Sequence, residues 1–171
     1  MAIRPIVKWG TPVLHAPAAP VARVDASVQR LLEDMVDTMY AAPGIGLAAP
    51  QIGVGLRVIV IDLSVGAEPG RLIKLVNPEF VLKEGKQQHE EGCLSIPDFG
   101  GSPTRPARVI VRGLDAEGRP CELEGSELLA RAFCHEIDHI DGLLFVDRLT
   151  PLKRDLLKRK LRKKAKSGDW E

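Results

Sequence analysis

Residues 134–139 read Cys-His-Glu-Ile-Asp-His, and they constrain this chain more than any other stretch. Their context reads as a helix. Four residues make slightly more than one helical turn, so His135 and His139 share a face and can reach one metal ion. Glu136 projects beside them, where it can take a proton from water activated by that ion. The whole chain holds four histidines, so two of them at this spacing around a glutamate are informative. The helix is expected to start near Glu124-Gly125-Ser126, with Ser126 or a neighbour as its cap, and to stop at Gly142. Leu128, Leu129, Ala132, Phe133, Ile137 and Ile140 give it a broad apolar face. The histidines therefore sit in a helix that must pack into a core.

Two imidazoles are too few protein ligands for a catalytic zinc or iron site, which uses three and leaves one position open. Asp141 lies only two residues past His139, roughly 200° around the helix, and faces away. Asp147 follows the run Leu143-Leu144-Phe145-Val146 and fits no familiar downstream extension of the motif. Cysteine offers a better third ligand. Cys134 points about 100° away from His135 and reads as packing, as does Cys121 in a strand start. Cys93 lies in Glu90-Glu91-Gly92-Cys93-Leu94-Ser95-Ile96-Pro97, where Gly92 permits close backbone approach and Pro97 disfavours a regular element. A thiolate in such a turn is a credible ligand, and it completes the pair at 135 and 139.

The run Pro43-Gly44-Ile45-Gly46-Leu47-Ala48-Ala49-Pro50-Gln51-Ile52-Gly53 carries no charge. Its glycines and prolines argue against a continuous helix or strand, and it matches no phosphate-loop pattern. Gln51 is its one polar side chain. Two readings stand: its amide meets a substrate carbonyl oxygen, or it closes a packed turn by bonding to backbone.

Elsewhere the pattern is α+β in one compact domain over 1–171. Antiparallel or mixed strands pack around the metal helix, and a C-terminal helix follows over about 151–166. Asp25 caps a first helix whose Val28, Leu31, Leu32, Met35, Val36 and Met39 recur at helical spacing. Strands are expected at 56–61, 73–76, 80–83 and 108–113, and Asp115-Ala116-Glu117-Gly118 turns the last toward Cys121-Glu122-Leu123. The three cysteines give no disulfide framework. Neither an 18-residue apolar span nor a signal-peptide core is present, so the expectation is a cytoplasmic protein acting on neither membrane nor DNA.

Taken together, Gly44-Ile45-Gly46-Leu47-Ala48-Ala49-Pro50-Gln51, Glu91-Gly92-Cys93-Leu94-Ser95 and His135-Glu136-Ile137-Asp138-His139 resemble the three signature motifs of the bacterial peptide deformylase family, in the family's order. The resemblance extends from Ile6-Val7-Lys8-Trp9-Gly10 to the C-terminal helix. It implies an enzyme that hydrolyses the formyl group from N-formyl-methionyl nascent peptides. Cys93, His135 and His139 would hold one divalent metal, natively Fe(II), with zinc, nickel or cobalt able to replace it. Glu136 would be the general base and later the acid. The Leu94 backbone N–H and the Gln51 amide would stabilise the oxyanion. Gly46 would bind the peptide backbone, and Ile45, Leu128, Arg131, Ala132 and His135 would surround the methionine side chain. Arg105 would pair with Asp138 and pin the Cys93 loop against the metal helix.

Two positions depart from common family patterns. Cys134 stands where a glutamine often precedes the first histidine. Gly100 stands where many relatives carry a larger residue, sometimes arginine, beside the peptide. Rival readings are a general H-E-x-x-H metallopeptidase, which needs a downstream ligand, and a non-catalytic, metal-stabilised, ribosome-associated module, which leaves Glu136 without a task.

The tail is expected to start at Thr150-Pro151, with a capping hydroxyl and proline in the first turn. Leu152, Leu156, Leu157 and Leu161 are expected to form one packing stripe. Residues 153–166 hold nine Lys/Arg against Asp155 alone; residues 151–171 carry +6 and the body −5, hidden in a total of +1. The resemblance implies that Arg159, Lys160, Arg162, Lys163, Lys164 and Lys166 make transient ribosome contact.

Overall fold

The computed structural model describes residues 2–170. Helix α1 (Ala26–Ala41) begins where Asp25 accepts a hydrogen bond from Val28 N. It buries Val28, Leu31, Leu32, Met35 and Met39, the stripe that the 3.6-residue period marked out. Two short strands follow, β1 (Gly46–Ala48) and β2 (Val58–Ile61), then the long β3 (Ile73–Glu84). The chain next forms β4 (Gln87–Gln88), β5 (Glu91–Cys93), β6 (Ile96–Gly101) and β7 (Thr104–Arg105). Strands β8 (Arg108–Leu114) and β9 (Pro120–Ser126) precede the helices α2 (Leu128–Ile140) and α3 (Pro151–Ser167).

The main sheet has the order β1-β2-β3-β8-β9 with every neighbouring pair antiparallel, and β4-β7 and β5-β6 form two small sheets. All four residues of β2 are buried. Alternation along the strand explains this: Val58 and Val60 pack with α1, while Ile59 and Ile61 pack with Phe133, Ile137 and Ile140 of α2. The sheet thus carries a helix on each face, with α2 pressed into one of the two apolar layers. No helix among the described residues is long and apolar enough to cross a membrane.

Four local expectations are corrected. The strands read at 73–76 and 80–83 are one bulged strand: Asn77 takes φ +52° and bonds Val21 through its side chain, and pairing with β8 resumes at Glu79. Pro97 does not end regular structure but lies inside β6, beside a register shift in a two-stranded hairpin that spares its missing N–H. Ser126 does not cap α2, because β9 runs through it; Glu127 precedes the helix at φ +54° with no side-chain cap. Thr150 gives α3 only its carbonyl, which accepts from Arg154 N.

The leucine stripe of α3 also divides. Leu157 and Leu161 are buried, whereas Leu152 is 72% and Leu156 48% exposed. Leu152 to Leu157 spans five residues, roughly 140° off register on a helix, so the two pairs cannot share one face.

Candidate metal centre

Two elements bring the site together. Helix α2 supplies His135, Glu136 and His139 from one side, and the β5–β6 hairpin supplies Cys93 from the other. The ligand atoms of Cys93, His135 and His139 all lie within 4.8 Å of one another. Cys93 Sγ is 3.3 Å from His139 Nε2. A thiolate and two imidazoles so placed suit a borderline-soft divalent ion, and the three form a metal-binding site. Burial, with the charges of His135 and Arg105 adding, pushes His139 well below the usual imidazole range and keeps it neutral, as a ligand must be. Burial also works against a charged His135, but Cys93 and Glu91 outweigh it and hold that ring well above its ordinary value, so a bound ion would have to displace its proton. The His135 ring further stacks on buried Phe145, centroids 6.4 Å apart.

The other aspartates and cysteines are engaged elsewhere. Asp141 bonds Arg57 at 2.9 Å, and Asp147 accepts from Leu144 N and pairs with Lys158. Cys134 is buried away from the site, and burial pushes its thiol up to about 11. Cys121 sits in β9.

Glu136 is buried, and its Oε1 has no hydrogen-bond partner among the described residues. Burial pushes its carboxyl up to about 7; the nearby His135 charge opposes this and Glu91 adds to it. The Gly44–Gln51 segment runs past this carboxylate as β1 and a short 3-10 turn. A Cβ on Gly46 would lie 2.5 Å from Glu136 Oε2, so only glycine leaves room there. Gln51 takes the packed-turn reading of its sequence, with its amide nitrogen left toward the cleft. Its Oε1 accepts from Ala48 N at 3.0 Å, closing the turn, and its Nε2 faces the site, 3.2 Å from Ser95 Oγ and 3.7 Å from Cys93 Sγ.

A cavity of about 430 Å³ opens beside these groups. Ile45, Gly46, Gln51, Leu94, Leu128, Arg131, Ala132, His135 and Glu136 all line it. The Arg131 guanidinium is held by Gln87 Oε1 at 2.9 Å. Gly100 does not line the cavity; a Cβ there would meet Glu90 Oε1, a residue that does, at 3.0 Å.

Arg105 Nη1 donates to Asp138 Oδ2 at 2.6 Å, and its Nε and Nη2 grip both oxygens of Glu91. Glu91 Oε1 in turn lies 2.9 Å from His135 Nδ1. Burial pushes Glu91 up, but the hydrogen bonds from His135 and Arg105, with the Arg105 charge, bring it down to about 2. Sequence reasoning gave Glu91 no role, and it missed Ser95, Phe145 and Arg148. Glu91 carried one usable signal: a carboxylate two residues from Cys93 must, once buried, find a cation.

Residues 3–155 match the family model described as polypeptide deformylase. A peptide deformylase of Acidobacterium capsulatum is 51% identical over 170 residues, covering 99% of this chain and 100% of the relative. The chain belongs to the peptide deformylase family. A relative of the same name from Syntrophobacter fumaroxidans is 47% identical over 98% of this chain and 99% of its own length. The crystal structure of a peptide deformylase from Legionella pneumophila superposes with a TM-score of 0.89 at 47% identity, covering 98% of each chain. The Ehrlichia chaffeensis family member in complex with actinonin gives 0.86 at 35% identity, covering 96% of this chain and 98% of that one. Family membership fits the α+β fold and the three-ligand site described above.

Proposed function

We infer that this chain is a metal-dependent amide hydrolase that removes the formyl group from N-formyl-methionyl peptides of nascent proteins and releases formate. The observation that carries this reading is the convergence of Cys93, His135 and His139 beside a buried, partner-free Glu136 oxygen. When bound, a divalent ion supplies Lewis-acid activation of water and of the formyl oxygen. Glu136 takes the proton from the attacking water and returns it to the departing amine. Gln51 Nε2 trades its long approach to Cys93 Sγ for the oxygen on which charge develops, joined by the Leu94 N–H. Gly46 offers its backbone to the peptide. Ile45, Leu128, Arg131, Ala132 and His135 enclose the methionine side chain, and the small space before the scissile bond admits formyl and rejects longer acyl chains.

The rival readings lose their supports. A general metallopeptidase needs a downstream ligand, and Asp141 and Asp147 are both committed elsewhere. A purely structural metal module gives no reason for a carboxylate held against a cavity wall at Gly46. Fe(II) is the metal we assign natively, with zinc, nickel or cobalt as substitutes, and the compartment we assign is the cytoplasm. The basic residues of α3 are proposed to touch the ribosome transiently where new chains emerge.

The deciding experiment is anaerobic purification with metal analysis, coupled to formate release from a formyl-Met peptide. Formate released in proportion to bound Fe(II) is the expected result. Metal-loaded protein that leaves formyl-Met-Ala intact would overturn the assignment.

A further inference from the structure

Glu91, Arg105 and Asp138 lie on three separate elements, and their side chains are only 8%, 3% and 8% exposed. With His135 neutral as a metal ligand, one guanidinium faces two buried carboxylates, which leaves one negative charge uncompensated beside the metal centre. A buried charge without a partner is costly. The structure supplies the missing cation from a fourth element, the 3-10 turn over Phe145–Arg148. Arg148 Nη2 donates to Asp138 Oδ1 at 2.9 Å and its Nε to Asp138 Oδ2 at 3.2 Å. Its side chain is 46% exposed, so it closes the network from the solvent side. The turn that carries Arg148 is itself fixed, because neighbouring Asp147 bonds Leu144 N and pairs with Lys158 of α3 at 2.8 Å.

We propose that Arg148 is a positioning residue for the metal centre. It acts through a chain of alternating charge, Arg148 to Asp138 to Arg105 to Glu91, that ends on His135 Nδ1. Each link is a direct hydrogen bond between 2.6 and 2.9 Å at its closest atoms. Arg148 neutralises the buried group and fixes the Asp138 carboxylate. Arg105 is thereby held square to Glu91, and Glu91 sets the tilt and tautomer of the His135 ring. Partners that orient a ligating imidazole in this way change metal affinity by about ten- to a hundred-fold when lost. The proposal rests on the metal-binding reading of Cys93, His135 and His139.

The test uses full-length protein loaded with Co(II), whose visible spectrum reports ligand geometry. Arg148→Met keeps much of the side-chain stem and removes the charge and donors. It should release Co(II) to a chelator about ten-fold faster and shift the ligand-field bands. Arg148→Lys, which restores the charge, should recover most of both. Arg112→Met, which breaks the exposed pair with Glu79, should change neither. All rates are measured well below the lowest melting temperature of the set. If Arg148→Met does not fold, Arg148→Gln takes its place with the same expectation. Release and spectrum unchanged in the Arg148 variant, or no recovery by lysine, would overturn the proposal. Because activity is not the readout, Co(II) loss without any formyl-peptide hydrolysis would end the proposed reaction and leave the role of Arg148 standing.

Discussion

Helices α2 and α3 stand side by side in sequence and obey opposite rules. In α2, of 13 residues, nine are buried, and Glu136, Asp138 and His139 are among them. In α3, of 17 residues, only Leu157 and Leu161 are buried. The burial of α2 makes an unpaired polar group costly; His135 and His139 find partners in Glu91 and Cys93 across the cleft, while Glu136 Oε1 and His139 Nδ1 have none among the described residues. The charges of α3 are mostly solvated and demand no fixed geometry. Chemistry is therefore built where desolvation makes a misplaced polar group expensive, and charge alone accumulates where it does not.

This contrast can be broken most sharply at α2. Glu136→Ala should lower kcat by about 10²–10⁴ while leaving metal content unchanged, because it removes a base and not a ligand. Cys93→Ala should lose most of the bound metal, whereas Cys121→Ala and Cys134→Ala should keep it. Metal analysis of the four variants beside formate assays separates these roles. Equal metal content in Cys93→Ala and the unsubstituted protein would remove Cys93 from the site.

Gly46→Ala probes the same region from the facing strand. The added methyl would lie 2.5 Å from Glu136 Oε2 and 3.0 Å from its Cδ, so the carboxylate must move. Displacing a catalytic group by about 1 Å costs on the order of 10²-fold, and kcat should fall accordingly with metal retained. A variant that keeps full turnover would show that Glu136 works from another position.

How much of this was legible in the residues depends on what kind of constraint each segment carries. The α1 stripe and the buried β2 run were readable because periodicity reports burial directly. The ligand triad was readable because H-E-x-x-H fixes two positions and leaves a chemical gap for a third. The Glu91–Arg105–Asp138 network was only partly readable. Its Arg105–Asp138 pair followed from family resemblance alone. Arg148 was invisible because it reaches Asp138 only through tertiary packing, and Glu91 showed no more than a carboxylate near Cys93 in need of a cation. The α3 stripe misled because hydrophobicity was counted without its angle, and Leu152 and Leu156 turn to solvent.

Acid sharpens the contrast further. Glu91 falls from an ordinary 4.5 to about 2 in the fold. A depressed carboxylate contributes stability that is full above the unfolded pKa and is lost as pH falls through the folded one. For metal-free protein that contribution is on the order of 3 kcal/mol at neutral pH, disappearing between about pH 4.5 and 2. Denaturant melts across this range should show the loss, and Glu91→Gln should flatten it.

A smaller effect is expected at Gly100. With no side chain it offers nothing to substrate residues beyond methionine. Gly100→Arg must displace the Glu90 carboxylate, whose Oε1 lies 3.0 Å from the new Cβ and which is exposed and can swing aside, and must ease away the Glu91 carbonyl oxygen of the paired strand, 3.2 Å from that Cβ, by a few tenths of an ångström. The variant should raise kcat/KM on formyl-tripeptides several-fold relative to formyl-Met-Ala, by roughly the 1 kcal/mol of one hydrogen bond. An unchanged ratio would mean that the missing contact has no consequence here.

The least effect on stability and chemistry belongs to α3, provided its apolar anchors are spared. Removing residues 159–171, the simplest truncation, also removes Leu161, which is fully buried, and Trp170, which packs on the same cluster as Leu14 and Phe145. That deletion would mix lost packing with lost charge. The cleaner change is glutamine at Arg159, Lys160, Arg162, Lys163 and Lys166, all exposed. Each such surface substitution should alter stability by less than about 0.5 kcal/mol, and turnover of a short formyl-peptide should stay as it was. Ribosome cosedimentation at low salt should nonetheless fall, because neutralised cations no longer displace counterions from RNA phosphates, and its salt dependence should flatten. Undiminished cosedimentation of the five-fold variant would eliminate a ribosomal role for these residues and leave α3 a solvated helix held by Leu157 and Leu161.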